Sequence, residues 1–179
     1  MSKRRSIRSF RSDPMTLLEV SQILWAAQGI TRPDGGRTAP SAGATYPLEV
    51  YLFAGEIRDL PEGIYKYRPE GHQMIRVAEE DRRAALAAAA RGQQFVTEAP
   101  VAIVIAAVLD RTAARYGRRA PRYVHMEAGH AAQNVDLQAV ALGLGTVMVG
   151  AYDDDRVREV VGLPAEEDPL YILPVGRPR

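Results

Sequence analysis

The chain has 179 residues, 46% hydrophobic and 25% charged, with 23 basic and 22 acidic side chains and a formal net charge of +1. That is the composition of one globular domain; the charge balance excludes a strongly basic nucleic-acid-binding surface. The absence of cysteine excludes disulfides, zinc–thiolate and iron–sulfur sites and a thiol nucleophile, and three histidines leave little for a polyhistidine metal centre.

From the N-terminus, Met1-Ser2-Lys3-Arg4-Arg5 is basic but lacks the apolar stretch of a signal peptide. No apolar run reaches the ~18 residues of a membrane span, so a cytoplasmic protein with no membrane partner is expected. Thr16-Leu17-Leu18-Glu19 has the form of a capping box. The helix it opens carries Leu17, Val20, Leu24 and Ala27 on one face and ends at Gly29. The Pro- and Gly-rich stretch from Thr31 to Pro47 is expected to be an ordered functional loop. Leu48 to Ala54 reads as a strand. Gly63 to Tyr67 and Gln73 to Val77 flank Pro69-Glu70-Gly71 and read as a β-hairpin.

Glu79 to Arg91 is Ala-rich and helical by propensity. Pro100 to Val108 is a continuous β-branched run, a buried strand. Arg122 to Leu142 is the longest helical pattern; it is apolar around most of its circumference, which predicts a subunit interface as well as a core. Gly145 to Val149 is a strand. Asp153-Asp154-Asp155 opens a helix that stops at Gly162-Leu163-Pro164. Glu166-Glu167-Asp168 reads as a solvated turn, and Leu170 to Val175 is a last strand. The class is α+β, with one domain over residues 1–179.

Several motifs fail on context. Gly143-Leu144-Gly145 follows a helix and opens a strand, the reverse of a dinucleotide fingerprint. His125 and His130 are five apart, about 140° around a helix, and share no face for a metal. Ser41-Ala42-Gly43 lacks the strand–turn–helix setting of a nucleophile elbow.

Four features remain, three of them with a bland alternative. Arg4-Arg5-Ser6-Ile7-Arg8-Ser9-Phe10, with three arginines and two serines, is a fork of donors suited to phosphate, or a solvated tail. Pro40-Ser41-Ala42-Gly43-Ala44-Thr45-Tyr46-Pro47 permits close backbone approach to a flat ligand, or is an ordinary connection. Val147-Met148-Val149-Gly150-Ala151-Tyr152-Asp153, a strand end running through small residues toward a helix, could present backbone N–H groups to a ring. Pro174-Val175-Gly176-Arg177 places an arginine at the end of a buried strand, or is a frayed end.

In this order, with Gly92-Gln93 before Ala99-Pro100-Val101, these features resemble the FMN-dependent nitroreductase superfamily across essentially the whole chain. Gly63-Ile64-Tyr65-Lys66-Tyr67, His72 and Glu127-Ala128-Gly129-His130-Ala131-Ala132-Gln133-Asn134 are similar to its SagB-type branch, which includes azoline dehydrogenases of modified peptides. The resemblance implies a nitroreductase-like fold, with a mostly antiparallel central sheet flanked by helices, and an intertwined homodimer with FMN at the interface. It implies that Arg4 and Arg177, beside Gly176, bind the phosphate with Arg5 and Ser6 close by. Arg8 would lie near the pyrimidine edge and Gln93 on the ribityl or pyrimidine side. Pro40, Ser41, Ala42 and Ala44 would come from the partner subunit, and Gly150 and Ala151 would place an N–H near the flavin N5.

The implied activity is ping-pong hydride transfer through flavin N5, from NAD(P)H to a nitroaromatic or quinone. The cofactor carries the chemistry, so no protein nucleophile is required. An azoline dehydrogenase would use a Lys-Tyr pair where this chain has Arg115-Tyr116; arginine hardly ever deprotonates, and Tyr116 remains as the candidate catalytic residue. A flavin-binding protein without turnover is the reading from another class. The chain is short for the family and carries no long insert, so an open, permissive site is expected.

Overall fold

The computed structural model describes all of residues 1–179. Its strands are β1 (Leu48–Ala54), β2 (Gly63–Arg68), β3 (Gln73–Ala78), β4 (Val101–Val108), β5 (Gly145–Thr146) and β6 (Glu167–Gly176). They form one sheet in the order β3-β2-β1-β4-β6-β5, antiparallel throughout. The helices are α1 (Leu17–Gln28), α2 (Arg83–Ala89), α3 (Phe95–Glu98), α4 (Leu109–Tyr116), α5 (Ala120–Ala141) and α6 (Asp154–Val161). No helix is long and apolar enough to cross a membrane.

The central strands alternate between two apolar layers. On β4, Ile103 and Ile105 pack with Val20, Ile23 and Leu24 of α1 and Ala128, Ala131 and Val135 of α5. Ala102, Val104 and Ala106 face the other way, onto Leu86 of α2, Val96 of α3 and Val157 and Val161 of α6. Both faces are covered, which is why β4 reads as one unbroken apolar run.

Local chemistry explains the helix ends. Thr16 Oγ1 accepts from the Glu19 N–H at 3.2 Å, and the Thr16 N–H donates to Glu19 Oε2 at 2.8 Å. Both halves of the capping box are therefore made. The Asp153 carboxylate accepts from the Arg156 N–H at 3.0 Å and opens α6. Gly162, at φ +76°, closes it in the left-handed region.

Four expectations need correction. α5 starts at Ala120, one residue before Pro121, which suits a first turn. α2 begins only at Arg83, because Asp81 turns back to accept from the Arg83 N–H and side chain. β5 is two residues long, and Val149 rejoins the sheet through a separate bridge to Ile172. Glu167 is no solvated turn: it is 3% exposed, begins β6 and sits in an ionic cluster. Tyr51 OH donates to it at 2.7 Å and Lys66 Nζ at 2.6 Å. Lys66 also pairs with Glu49 at 3.0 Å, and Glu49 with Arg111 at 2.6 Å. The chain composition carries no signal for the four-residue α3.

Candidate active site

The N-terminal segment is laced along β5 and the residues that follow β6. Ile7 N–H donates to Thr146 O at 2.9 Å, Arg11 N–H to Arg177 O at 2.9 Å, and Arg179 N–H to Ser9 O at 3.2 Å. Phe10, 1% exposed, is the apolar pin of this arrangement and lies opposite Pro178. Residues nearly a whole chain apart, Arg4 to Arg8 and Arg177, thus share one end of the sheet.

Two of these arginines already have partners. Arg4 Nη1 donates to Asp136 Oδ2 at 3.0 Å, and Arg177 Nη2 to Glu19 Oε1 at 2.7 Å. Arg177 Nη1 and Asp136 Oδ1 are buried without any partner. Burial raises the Glu19 carboxyl, but hydrogen bonds from Thr16 and the charge of Arg177 outweigh it and hold the group below its usual range. The side chains of Arg5, Ser6 and Arg8 are exposed and make no hydrogen bond within the chain. Gly176 is buried under Pro100 and Phe10; a Cβ there would lie 2.6 Å from Pro100 Cδ.

A second group lies at the turn into α6. Gln93 Nε2 donates to Ala90 O at 2.8 Å and to Ala151 O at 3.1 Å. Gly150 and Ala151 are exposed, and neither backbone N–H donates to an acceptor in the chain. Gly150 borders a cleft of about 340 Å³ with His125, Ala128 and Tyr171.

The third group is built on the loop before β1. Gly43 (φ +59°), Ala44 (φ +54°) and Tyr46 (φ +43°) all lie in the left-handed region, which costs free energy at the two non-glycine positions. Side chains hold this conformation. Ser41 Oγ accepts from the Tyr46 N–H at 2.9 Å, and Thr45 Oγ1 donates to Ala42 O at 3.0 Å. Arg111 and Arg115 donate to Tyr46 O and Gly43 O, each at 3.1 Å. Arg37 stacks over the Tyr46 ring at 4.5 Å. Tyr116 closes on the same loop: a Cβ at Gly43 would lie 2.7 Å from its hydroxyl.

Pro40, Ser41 and Ala42 face Tyr123, Met126, Glu127 and His130 of α5 across a cleft of about 270 Å³. Glu127 is 2% exposed and its Oε1 has no hydrogen-bond partner. Burial pushes its carboxyl up to about 7, against the smaller opposing effects of the Ser41 hydroxyl and the Arg37 charge.

Within one chain the first group and the Pro40–Ala44 loop are not joined by any hydrogen bond or ion pair. Glu127 and Asp136 carry no role in the sequence reading. Their signal was positional: each is an acid on the buried stripe of α5, Glu127 three residues after Val124 and Asp136 next to Val135.

The family model described as "Nitroreductase family" matches residues 1–177. The chain is 51% identical over 175 residues to a protein of Methanocaldococcus jannaschii named as a nitroreductase, covering 98% of this chain and 87% of that one. Among solved structures it is similar to a nitroreductase-named protein of Anabaena variabilis, at TM-score 0.87 and 31% identity. That match covers 99% of this chain but 37% of the Anabaena chain. It also shares its fold with a chain of the E. coli microcin synthetase McbBCD complex, at TM-score 0.84 and 23% identity, covering 96% and 67% of the two chains. This chain belongs to the nitroreductase family, a family of oxidoreductases.

Proposed function

We propose that residues 1–179 act as one FMN-binding domain of a homodimeric oxidoreductase. It moves hydride between NAD(P)H and a flat conjugated acceptor, a nitroaromatic or a quinone. The observation that carries this reading is the lacing of residues 7–11 onto β5 and the residues that follow β6, which brings the Arg4–Arg8 segment to the end of the sheet that holds Arg177.

The residues present fit FMN. Arg177 Nη1 is buried with no partner, Arg5, Ser6 and Arg8 are unengaged, and two backbone N–H groups at Gly150 and Ala151 stand free. When bound, the flavin supplies a ring that alternately accepts and donates hydride. Arg4 and Arg177 would hold its phosphate through charge-assisted hydrogen bonds, with Arg5 and Ser6 adding donors. Arg8 would place a cation beside the pyrimidine edge and favour the reduced ring. Gln93 would meet the ribityl or pyrimidine side, and the free N–H groups of Gly150 and Ala151 would orient the ring. Pro40, Ser41, Ala42 and Ala44 of the partner subunit would close its other face, since within one chain that loop has no bond to the arginine cluster.

The test is reconstitution with FMN followed by anaerobic titration with NADH and with NADPH. Bleaching of the flavin absorbance, and its return on adding a quinone or nitroaromatic, is the expected result. A protein that holds FMN and never bleaches is a flavin-binding protein without turnover, and the enzymatic reading fails.

One observation favours azoline peptide dehydrogenation as a second reading: the Tyr116 hydroxyl abuts the Gly43 turn. Against it, Arg115 is engaged with Gly43 O and offers no base. Oxidation of a thiazoline peptide separates the two.

A further inference from the structure

The cleft between the Pro40–Ala42 turn and α5 contains one ionisable group with nothing in the fold to explain it. Glu127 is 2% exposed, makes no ion pair, and leaves Oε1 without a partner. A buried carboxylate without a counter-charge is costly, so such a group is neutral or has a ligand. Every other buried acid is engaged: Glu167 by Tyr51 and Lys66, and Asp136 by Arg4.

We propose that Glu127 is a proton-exchanging group of this cleft, passing a proton between its carboxyl and an oxygen of a conjugated nitro or carbonyl ligand that enters beside Tyr123 and Met126. The inference deepens the function proposed above and rests on it for the class of ligand. The size of the cleft, about 270 Å³, and the Met126 and Tyr123 side chains on its wall suit a flat ring.

The titratable and charged groups around the carboxyl are Tyr123 and His130 from α5 and Arg37 from the loop before β1, with the Ser41 hydroxyl beside them. Burial dominates, and the carboxyl titrates near 7, where an acid can both give and regain a proton.

The balance is simple. A conjugated carbonyl that accepts a hydride, ultimately from the nicotinamide coenzyme, gains one negative charge on its oxygen. The carboxyl O–H of Glu127 breaks, a ligand O–H forms, and the electron pair stays on the carboxylate. Ser41 and Arg37 stabilise that carboxylate until water at the cleft mouth returns the proton.

The test uses the full-length protein and two readouts that need no turnover. In infrared difference spectra taken across a pH range centred on about 7, the wild type shows a protonated-carboxyl C=O band that disappears on the alkaline side. Glu127→Gln lacks it. In the second, para-nitrophenol is bound and titrated by its yellow absorbance. The Glu127 carboxylate opposes the phenolate charge, so the bound probe turns yellow at a higher pH in the wild type than in Glu127→Gln, and Glu127→Asp restores part of that shift.

A carboxyl band that does not titrate, or a bound probe that turns yellow at the same pH in wild type and Glu127→Gln, overturns the proposal. If Glu127→Gln does not fold, the wild-type and Glu127→Asp measurements decide. A protein that takes no FMN but gives both signals refutes the functional reading alone. A flavin-loaded, active protein that gives neither refutes this inference alone.

Discussion

Arg177 has two neighbours to satisfy, Glu19 on one guanidinium nitrogen and, in the functional proposal, a phosphate on the other. Arg177→Ala is expected to weaken FMN binding by about 1.5–3 kcal/mol, the usual worth of a hydrogen bond to a charged group. Fluorescence titration of FMN measures it, and unchanged affinity would remove Arg177 from the phosphate site. Glu127 makes a second prediction, about stability. Its folded pKa, about 7, lies above the ordinary glutamate value of 4.5. The native state therefore holds the proton more tightly, and this contribution to stability is present below the unfolded value and lost as pH rises to about 7. Glu127→Gln should thus be more stable than wild type on the alkaline side, by about 1–2 kcal/mol once water reaching the carboxyl is discounted. The advantage should vanish on acidification, and urea unfolding at several pH values reports both.

Local signals survived folding, and long-range ones were invisible beforehand. The Thr16–Glu19 capping box needs only four consecutive residues, so it was legible. β1 was legible to the residue, and β4 except for its leading Pro100, because β-branched runs with both faces covered look alike in any fold. Glu167 was misread because its burial depends on Tyr51 and Lys66, 116 and 101 positions away. The acids on α5 were hidden among alanines whose burial was clear but whose neighbours were not. The site residues themselves entered through family resemblance; spacing alone left each open to a bland explanation. The Tyr51–Lys66–Glu167–Glu49 cluster staples β1, β2 and β6 together, so Glu167→Ala should cost about 3 kcal/mol by leaving Lys66 partly unanswered inside the sheet. A smaller loss, read from the thermal midpoint, would mean that Glu49 alone satisfies the lysine. Thr16→Ala tests α1 in the same way and should cost about 1 kcal/mol.

The packed pair α1 and α5 presents Leu18 at 67% exposure, Trp25 at 44% and Met126 at 48% to solvent. These side chains, together with a Pro40–Ala44 loop that has no bond to the arginine cluster of its own chain, are why the proposed homodimer is expected to close its sites across this face. Sedimentation is expected to give twice the protomer mass. Leu18→Glu combined with Met126→Glu should yield a folded monomer that releases flavin as it dissociates, and a monomer that keeps its yellow colour contradicts the shared site.

The two paired arginines have a further consequence. Because Glu19 and Asp136 already answer the charges of Arg177 and Arg4, the proposed phosphate site would be less of a positive well than its arginines alone suggest. A singly charged anion such as chloride or acetate would meet little unanswered charge there. A phosphate monoester brings two charges and several acceptor oxygens, enough to engage the partnerless Arg177 Nη1 while Glu19 keeps Nη2. The proposed site would thereby favour phosphate over small anions.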